Sequence, residues 1–132
     1  MQSDLELSPI GNCQVSTLVD SEGAFVWGCV PLNDNARDRG IWRFELEGQA
    51  RSSQRYERNT AILVTRLEAE DGSAVEIHDF APRFERSGRM YRPVAYARIV
   101  RPVAGAPRLR IVLAPMNGYG ASLAETTNGT NH

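Results

Sequence analysis

Residues 59–82, NTAILVTRLEAEDGSAVEIHDFAP, decide the fold class of this chain. Two runs rich in β-branched and aliphatic residues, 61–68 and 74–80, flank the sequence Glu70-Asp71-Gly72. A three-residue loop that ends in glycine is typical of a β-hairpin closed by a type I turn and a bulge. The stretch therefore predicts an antiparallel hairpin in which Ala69 faces Ser73.

The register of this hairpin follows by counting outward from its loop. One face carries Leu63, Thr65, Leu67, Val75 and Ile77, and the other pairs Arg66 with Glu76, Val64 with His78 and Ile62 with Phe80. One face is apolar and the other is mixed, which indicates a sheet with one face against a core.

Residues 10–31 repeat the pattern, with Ser21-Glu22-Gly23 as the loop and Asp20 facing Ala24. Counting from that loop places Val15, Thr17 and Val19 on one face with Cys29, Trp27 and Phe25. Trp27 lies at the centre of this face, where a core tryptophan is a more favoured interpretation than a platform for a ligand.

The remaining segments also favour strands. Residues 41–47 alternate, with Trp42, Phe44 and Leu46 predicted to face inward. A short strand is expected at 54–56, the longest and most central one at 91–101, and another that places Leu109, Ile111 and Leu113 on one face. Residues 31–40, 82–88 and 102–107 are predicted to be loops or turns, and residues 116–132 show no pattern of burial. The fold class predicted is therefore all-β, an antiparallel β-sandwich formed by residues 1–132 as a single domain.

Composition agrees with one domain of a globular protein. The chain has 132 residues, of which 42% are hydrophobic and 23% charged. No run approaches the roughly 20 apolar residues of a membrane span, and no secretory signal begins the chain, so a cytoplasmic location is expected and a membrane partner is not. Cys13 and Cys29 are too few for a disulfide scaffold, and both are predicted to be buried thiols.

Charge is unevenly distributed along the chain. Residues 83–110 hold eight arginines and one acid, Glu85, whereas residues 68–79 hold five acids and no Lys or Arg. A basic segment can bind nucleic acid, but these arginines alternate with strand residues, few aromatic residues lie between them, and the pI is about 6.1. An intramolecular or inter-domain contact surface is the favoured interpretation, and a nucleic-acid partner is not expected.

Motifs for catalysis or metal binding are missing from the sequence. It contains no cluster of Cys and His with metal spacing, no phosphate-binding glycine loop and no nucleophile elbow, and no cofactor is expected. Glu76, His78 and Asp79 are the densest titratable group. On a strand Asp79 points away from the other two, so a structural role is favoured.

The order of short motifs along the chain resembles the amino-terminal region of glycoside hydrolase family 15, the glucoamylase and bacterial trehalase-like enzymes. The first half contributes IGNCQV (10–15), LVD (18–20), VWGC (26–29), Pro31, QRY (54–56), NTAIL (59–63) and TR (65–66). The second half contributes DFAPRF (79–84), GR (88–89), RP (92–93), RP (101–102) and Gly105.

This resemblance implies a supporting domain and not a complete enzyme. In the family, a large β-sandwich packs against a helical toroid, and the toroid carries two glutamates that hydrolyse α-glucosidic bonds with inversion. Nothing in the chain is similar to the toroid, so no catalytic residue is assigned, and the chain is expected to be a fragment of a longer protein whose helical catalytic domain is its partner. Compared with the family, the segment after Pro31 is shortened.

The expected contacts with that helical domain are made by Trp27, Pro31, Arg83, Arg89 and Arg92. A sandwich without its second half would expose apolar edge strands, so association between copies through these strands is also expected. The alternative function is a stand-alone carbohydrate-binding or protein-interaction module, with Trp42, Tyr56, Tyr91 and Tyr119 as possible stacking groups.

Overall fold

A computed structural model of the chain describes residues 6–28, 41–114, 116–117 and 122–123, and in these residues all regular structure is β-strand. The strands are β1 (Ser8–Gly11), β2 (Ser16–Val19), β3 (Phe25–Gly28), β4 (Ile41–Leu46), β5 (Gln49–Tyr56), β6 (Leu63–Ala69) and β7 (Ala74–Phe80). They continue with β8 (Phe84–Arg86), β9 (Arg89–Tyr91), β10 (Ala97–Ala104), β11 (Leu109–Ala114), β12 (Met116–Asn117) and β13 (Ser122–Leu123). The all-β prediction is confirmed.

Two antiparallel sheets form the body of the domain. The larger sheet has the strand order β1-β2-β3-β4-β11, and the smaller has the order β10-β7-β6-β5. Apolar residues of both sheets meet in two clusters, one around Phe44, Leu67 and Ile77 and the other around Phe25 and Leu63. Because each cluster takes side chains from both sheets, the core lies between two layers, as in a β-sandwich.

The central hairpin forms with the predicted register. Arg66 pairs with Glu76 and Val64 with His78, and the Ala69 amide donates a hydrogen bond of 2.9 Å to the Ser73 carbonyl. Gly72 takes the left-handed conformation, with φ of +83°. The predicted pairing of Ile62 with Phe80 does not form, because β6 begins one residue later, at Leu63.

The first hairpin has the predicted register at its loop and at the pair of Val19 with Phe25, and the prediction is wrong from Leu18 onward. The Asp20 amide donates to the Ala24 carbonyl over 3.0 Å, as predicted. A bulge between Leu18 and Val19 then shifts the register, so that Trp27 pairs with Leu18 and not with Thr17. Simple counting fails here because a bulge places two residues of one strand opposite one of the other.

The long strand predicted at 91–101 is displaced and lies at an edge. β10 begins at Ala97, and it runs through Pro102 to Ala104 with a bulge, where a break was predicted. Proline is tolerated there because the edge of a sheet leaves one side of the strand without ladder hydrogen bonds. The predicted short strand at 54–56 is the end of a longer one, β5.

Two further predictions are wrong. Residues 82–88 are not only a turn, because β8 and β9 form a hairpin of their own around Ser87 and Gly88. Cys13 is exposed and not buried, since it occupies the turn between β1 and β2 with φ of 70°. The described residues of the tail, 116–117 and 122–123, form a short strand pair, β12 with β13. The predicted loop at 31–40 and Cys29 lie outside the described residues.

Strand β11 leaves part of the inner face of the larger sheet uncovered. Ile111 pairs with Phe44 and Leu113 with Trp42, which places both on the face that carries the core. Their exposed fractions are nevertheless 61% and 56%. The larger sheet has one more strand than the smaller one, and in the described part of the chain nothing covers these two side chains.

Candidate functional site

The densest titratable group of the sequence does not converge. Glu76 and His78 lie on the outer face of β7, with 3.6 Å between the His78 Nε2 and a Glu76 carboxylate oxygen. Asp79 points the other way, into the sandwich, where its side chain is fully buried. The sequence prediction that these three residues cannot act together is confirmed.

Asp79 forms a buried ion pair with Arg98 of β10. The Arg98 Nε and Nη2 donate to the two carboxylate oxygens over 2.7 and 2.9 Å, and both side chains have an exposed fraction of 0%. The guanidinium also donates to the carbonyls of Trp42, over 2.6 Å, and Gly23. The Trp42 carbonyl belongs to the larger sheet and the Gly23 carbonyl to one of its hairpin loops, whereas the ion pair belongs to the smaller sheet. Arg98 therefore joins the two layers.

Aromatic rings enclose this guanidinium. The Arg98 Cζ lies 4.1 Å from the ring centre of Phe25, 4.6 Å from that of Phe44 and 5.2 Å from that of Trp42. Cation–π contacts of this kind are strongest where water is excluded. Burial raises the pKa of the Asp79 carboxyl, and the hydrogen bonds from Arg98 oppose that rise. A pair sealed from solvent in this way serves cohesion, because no substrate can reach it.

A different surface forms at the β8–β9 hairpin, which with its flanks, residues 83–92, is named the arginine hairpin below. Phe84 and Tyr91 are cross-strand partners, and their rings stack with centres 5.6 Å apart and an angle of 13°. Their exposed fractions are 48% and 43%. Arg86 and Arg89 face each other across the next pair on the same side, so this face presents two exposed rings beside two guanidinium groups.

A buried asparagine holds the base of this hairpin. The Asn12 Nδ2 donates to the carbonyls of Pro82, over 2.8 Å, and Pro93, over 2.9 Å, on the two flanks. The Asn12 Oδ1 accepts from the amides of Gln14 and Val15 over 3.0 and 3.2 Å. Two donated and two accepted bonds use the full capacity of the amide side chain, which fixes where the hairpin leaves the domain.

The structure brings together three of the five residues predicted to contact a second domain. Arg83, Arg89 and Arg92 are all exposed on the arginine hairpin. Trp27 belongs to β3 in the larger sheet, and Pro31 lies outside the described residues. Three of the predicted contact residues therefore lie on one hairpin, and Arg86 is a fourth exposed arginine there that the prediction missed.

A surface groove of the larger sheet is lined by acids that form ion pairs. It lies beside β4 and β11 and is lined by Glu45, Glu47, Arg108 and Arg110. Arg110 pairs with Glu45 at 3.6 Å and Arg108 with Glu47 at 3.8 Å. Both carboxylates are neutralised across the strands, which does not match the acid and base pair of a glycosidase.

Comparison with family models, with curated proteins and with solved structures finds no match for this chain. Over the residues that the structure describes, no group of three or more His, Cys, Asp or Glu side chains is placed to hold a metal ion. None of the described segments forms a helix long and apolar enough to cross a membrane.

Sequence reasoning missed Asn12, Arg86 and the role of Arg98. Asn12 lies in a turn, where asparagine is common for local reasons, and its partners are 70 and 81 positions away. Arg98 gives no signal by itself, because an arginine within a strand is usually exposed. Only the pairing of β10 with β7, which sets Arg98 opposite Asp79, could have indicated a buried pair.

Proposed function

We propose that this chain is the non-catalytic sheet domain of a glycoside hydrolase family 15 enzyme of the glucoamylase or trehalase type. Its role is to pack against the helical catalytic domain and hold it in position. The chain itself carries no catalytic residue in this proposal. Hydrolysis of the α-glucosidic bond belongs to the glutamate pair of the helical domain.

The observation that carries this proposal is the uncovered inner face of β11. Ile111 and Leu113 extend the apolar face of the larger sheet past its partner layer, and large apolar side chains left open in this way favour a protein neighbour. The order of motifs that resembles the family and the all-β sandwich agree with the same role. The ion-paired acids of the β4–β11 groove argue against catalysis by this chain.

An assay of hydrolysis tests the assignment of roles. The purified chain is incubated with trehalose and with maltooligosaccharides, alone and together with a separately produced helical catalytic domain of a family 15 enzyme. We expect no turnover by the chain alone and a higher thermal midpoint of the helical domain when the chain is added. Turnover by the chain alone would overturn the proposal.

The alternative, a stand-alone carbohydrate-binding or protein-interaction module, is favoured by one observation, the exposed stacked pair of Phe84 and Tyr91. The other proposed stacking groups fit it less well. Trp42 packs edge-on against Phe25 at the core, and the Tyr56 hydroxyl donates to the Pro9 carbonyl over 2.7 Å. Tyr119 lies outside the described residues. Calorimetric titration with glucans distinguishes this alternative, which requires saturable heat.

A further inference from the structure

The arginine hairpin has a charge that its own domain does not neutralise. Seven arginines elsewhere in the described chain form ion pairs with acids, namely Arg43, Arg51, Arg55, Arg66, Arg98, Arg108 and Arg110. Within the described ranges, none of the four arginines of the arginine hairpin has such a partner. The only acid in the segment is Glu85, so the hairpin presents an excess of positive charge.

The cross-strand pair of Arg86 with Arg89 makes this charge pattern specific. Like charges directly opposite each other destabilise an antiparallel pair. A carboxylate placed between the two guanidinium groups would relieve the repulsion, and planar guanidinium groups bind carboxylates through paired hydrogen bonds. The surface is therefore complementary to an acid that the described part of the chain does not supply.

Apolar groups lie beside the charges. Phe84 and Tyr91 stack on the face that carries Arg86 and Arg89, and Met90, on the opposite face, is also 46% exposed. Aromatic residues, methionine and arginine are the residue types enriched in protein interfaces. A partner that offers both carboxylates and apolar side chains fits this combination better than a phosphate backbone alone.

The arginine hairpin is also held in place before any partner binds. Ser87 and Gly88 both have positive φ, of 52° and 70°, which is the geometry of a tight type I′ turn. Asn12 fixes the two flanks of the hairpin by its hydrogen bonds to the Pro82 and Pro93 carbonyls. A surface ordered in advance loses less conformational entropy on binding.

We propose that the arginine hairpin docks an acidic segment of a partner protein. Carboxylates of that segment bind between Arg86 and Arg89, and its aromatic or aliphatic side chains pack on Phe84 and Tyr91. This inference goes beyond the supporting role proposed above. It specifies the chemistry of the segment that binds, and it does not depend on which protein carries that segment.

Binding to defined polymers tests the inference. The purified chain is titrated at low salt with a random copolymer of glutamate and tyrosine, with polyglutamate and with an oligo-dT strand. We expect the copolymer to bind more tightly than the other two, and its affinity to fall as salt is added, because exposed charges are screened. The double variant Arg86→Glu/Arg89→Glu is expected to lose about tenfold in affinity for the copolymer.

A matched variant separates this docking from general attraction between opposite charges. Arg58→Glu/Arg101→Glu changes the net charge by the same amount, and both residues are exposed and form no ion pair within the described chain. It should keep most of the copolymer affinity, whereas Phe84→Ala/Tyr91→Ala should reduce copolymer binding to the level of polyglutamate. Equal losses in the two arginine variants, no copolymer binding, or tighter binding of oligo-dT would each overturn the proposal.

Discussion

Replacing Arg98 by methionine should be the most damaging single change in the smaller sheet. The substitution keeps an unbranched apolar stem but removes the guanidinium that neutralises the buried Asp79 carboxylate. It also leaves the carbonyls of Trp42 and Gly23 without their Arg98 donor, and it removes the cation from the ring of Phe25. Each of these losses occurs where water cannot replace the missing group.

The expected cost follows from the burial of the pair. Removing one partner of a buried ion pair typically costs about 3–5 kcal/mol, because the other charge stays buried alone. Each carbonyl that loses its donor adds about 1–3 kcal/mol, although such terms are not fully additive. We therefore expect Arg98→Met to lower the free energy of unfolding by about 5 kcal/mol, against a total of about 5–15 kcal/mol for a domain.

Urea unfolding followed by circular dichroism measures this loss. The double variant Arg98→Met/Asp79→Leu should recover most of it and lie within about 2 kcal/mol of the parent chain, since apolar replacements of a buried pair are often tolerated. Arg110→Met, which breaks an exposed ion pair with Glu45, should cost less than about 1 kcal/mol. The reasoning is refuted if Arg98→Met costs under about 1 kcal/mol, or if the two single losses simply add in the double variant.

Three further predictions concern the loops and the exposed edge. Gly105→Ala places a Cβ 2.9 Å from the Ser73 Cβ at a φ of +62°, whereas the Cβ added by Gly72→Ala meets no atom within 4 Å. In urea unfolding, Gly72→Ala should lower the free energy of unfolding by about 1 kcal/mol, and Gly105→Ala should lower it by about 1 kcal/mol more than that. Asp71 has a lowered pKa because the Ser73 hydroxyl and amide donate hydrogen bonds to its carboxylate. The ionised carboxylate therefore stabilises the fold above the ordinary pKa of 3.8, and this contribution is lost as the pH falls through the lowered value. Asp71→Asn should thus lower the thermal midpoint at neutral pH. The difference in midpoint between the variant and the parent chain should shrink below pH 3.8, and a difference that grew there would contradict the argument. Finally, the chain should self-associate at high micromolar concentration through β11, and sedimentation velocity should show the Ile111→Lys variant to be monomeric while the parent chain is not.

The sequence predicted those parts of the fold in which the signal is local. The two three-residue loops end in Gly23 and Gly72, and both hairpins close where counting places them. The alternation of residues 41–47 correctly identified Phe44 and Leu46 as buried. A glycine with positive φ determines the geometry of the two loops, and a two-residue period identifies the strand, so no knowledge of distant residues is required.

The errors arise where distant parts of the chain decide the outcome. Strand β10 can continue through Pro102 because it lies at an edge, and whether a strand is central or at an edge depends on the other strands of the sheet. The bulge opposite Leu18 and Val19, where Val26 of β3 is the extra residue, has no local marker, since Val26 is not a glycine. The sequence shows the order of the strands along the chain but not which of them lie at the edges of a sheet.

The candidate site, the arginine hairpin, depends both on a local sequence signal and on distant residues. Its charge was visible in the sequence as a run of arginines with one acid, but seven other arginines prove to be neutralised, so composition alone could not identify the functional group. The strands of the arginine hairpin, β8 and β9, form a sheet of their own, and in the described part of the chain no further strand places an acid beside Arg86 or Arg89. The hairpin can remain ordered there because Asn12, buried in the first turn of the domain, holds both flanks. Its exposed charge and its fixed position therefore have separate causes, and a variant that changes one should leave the other intact.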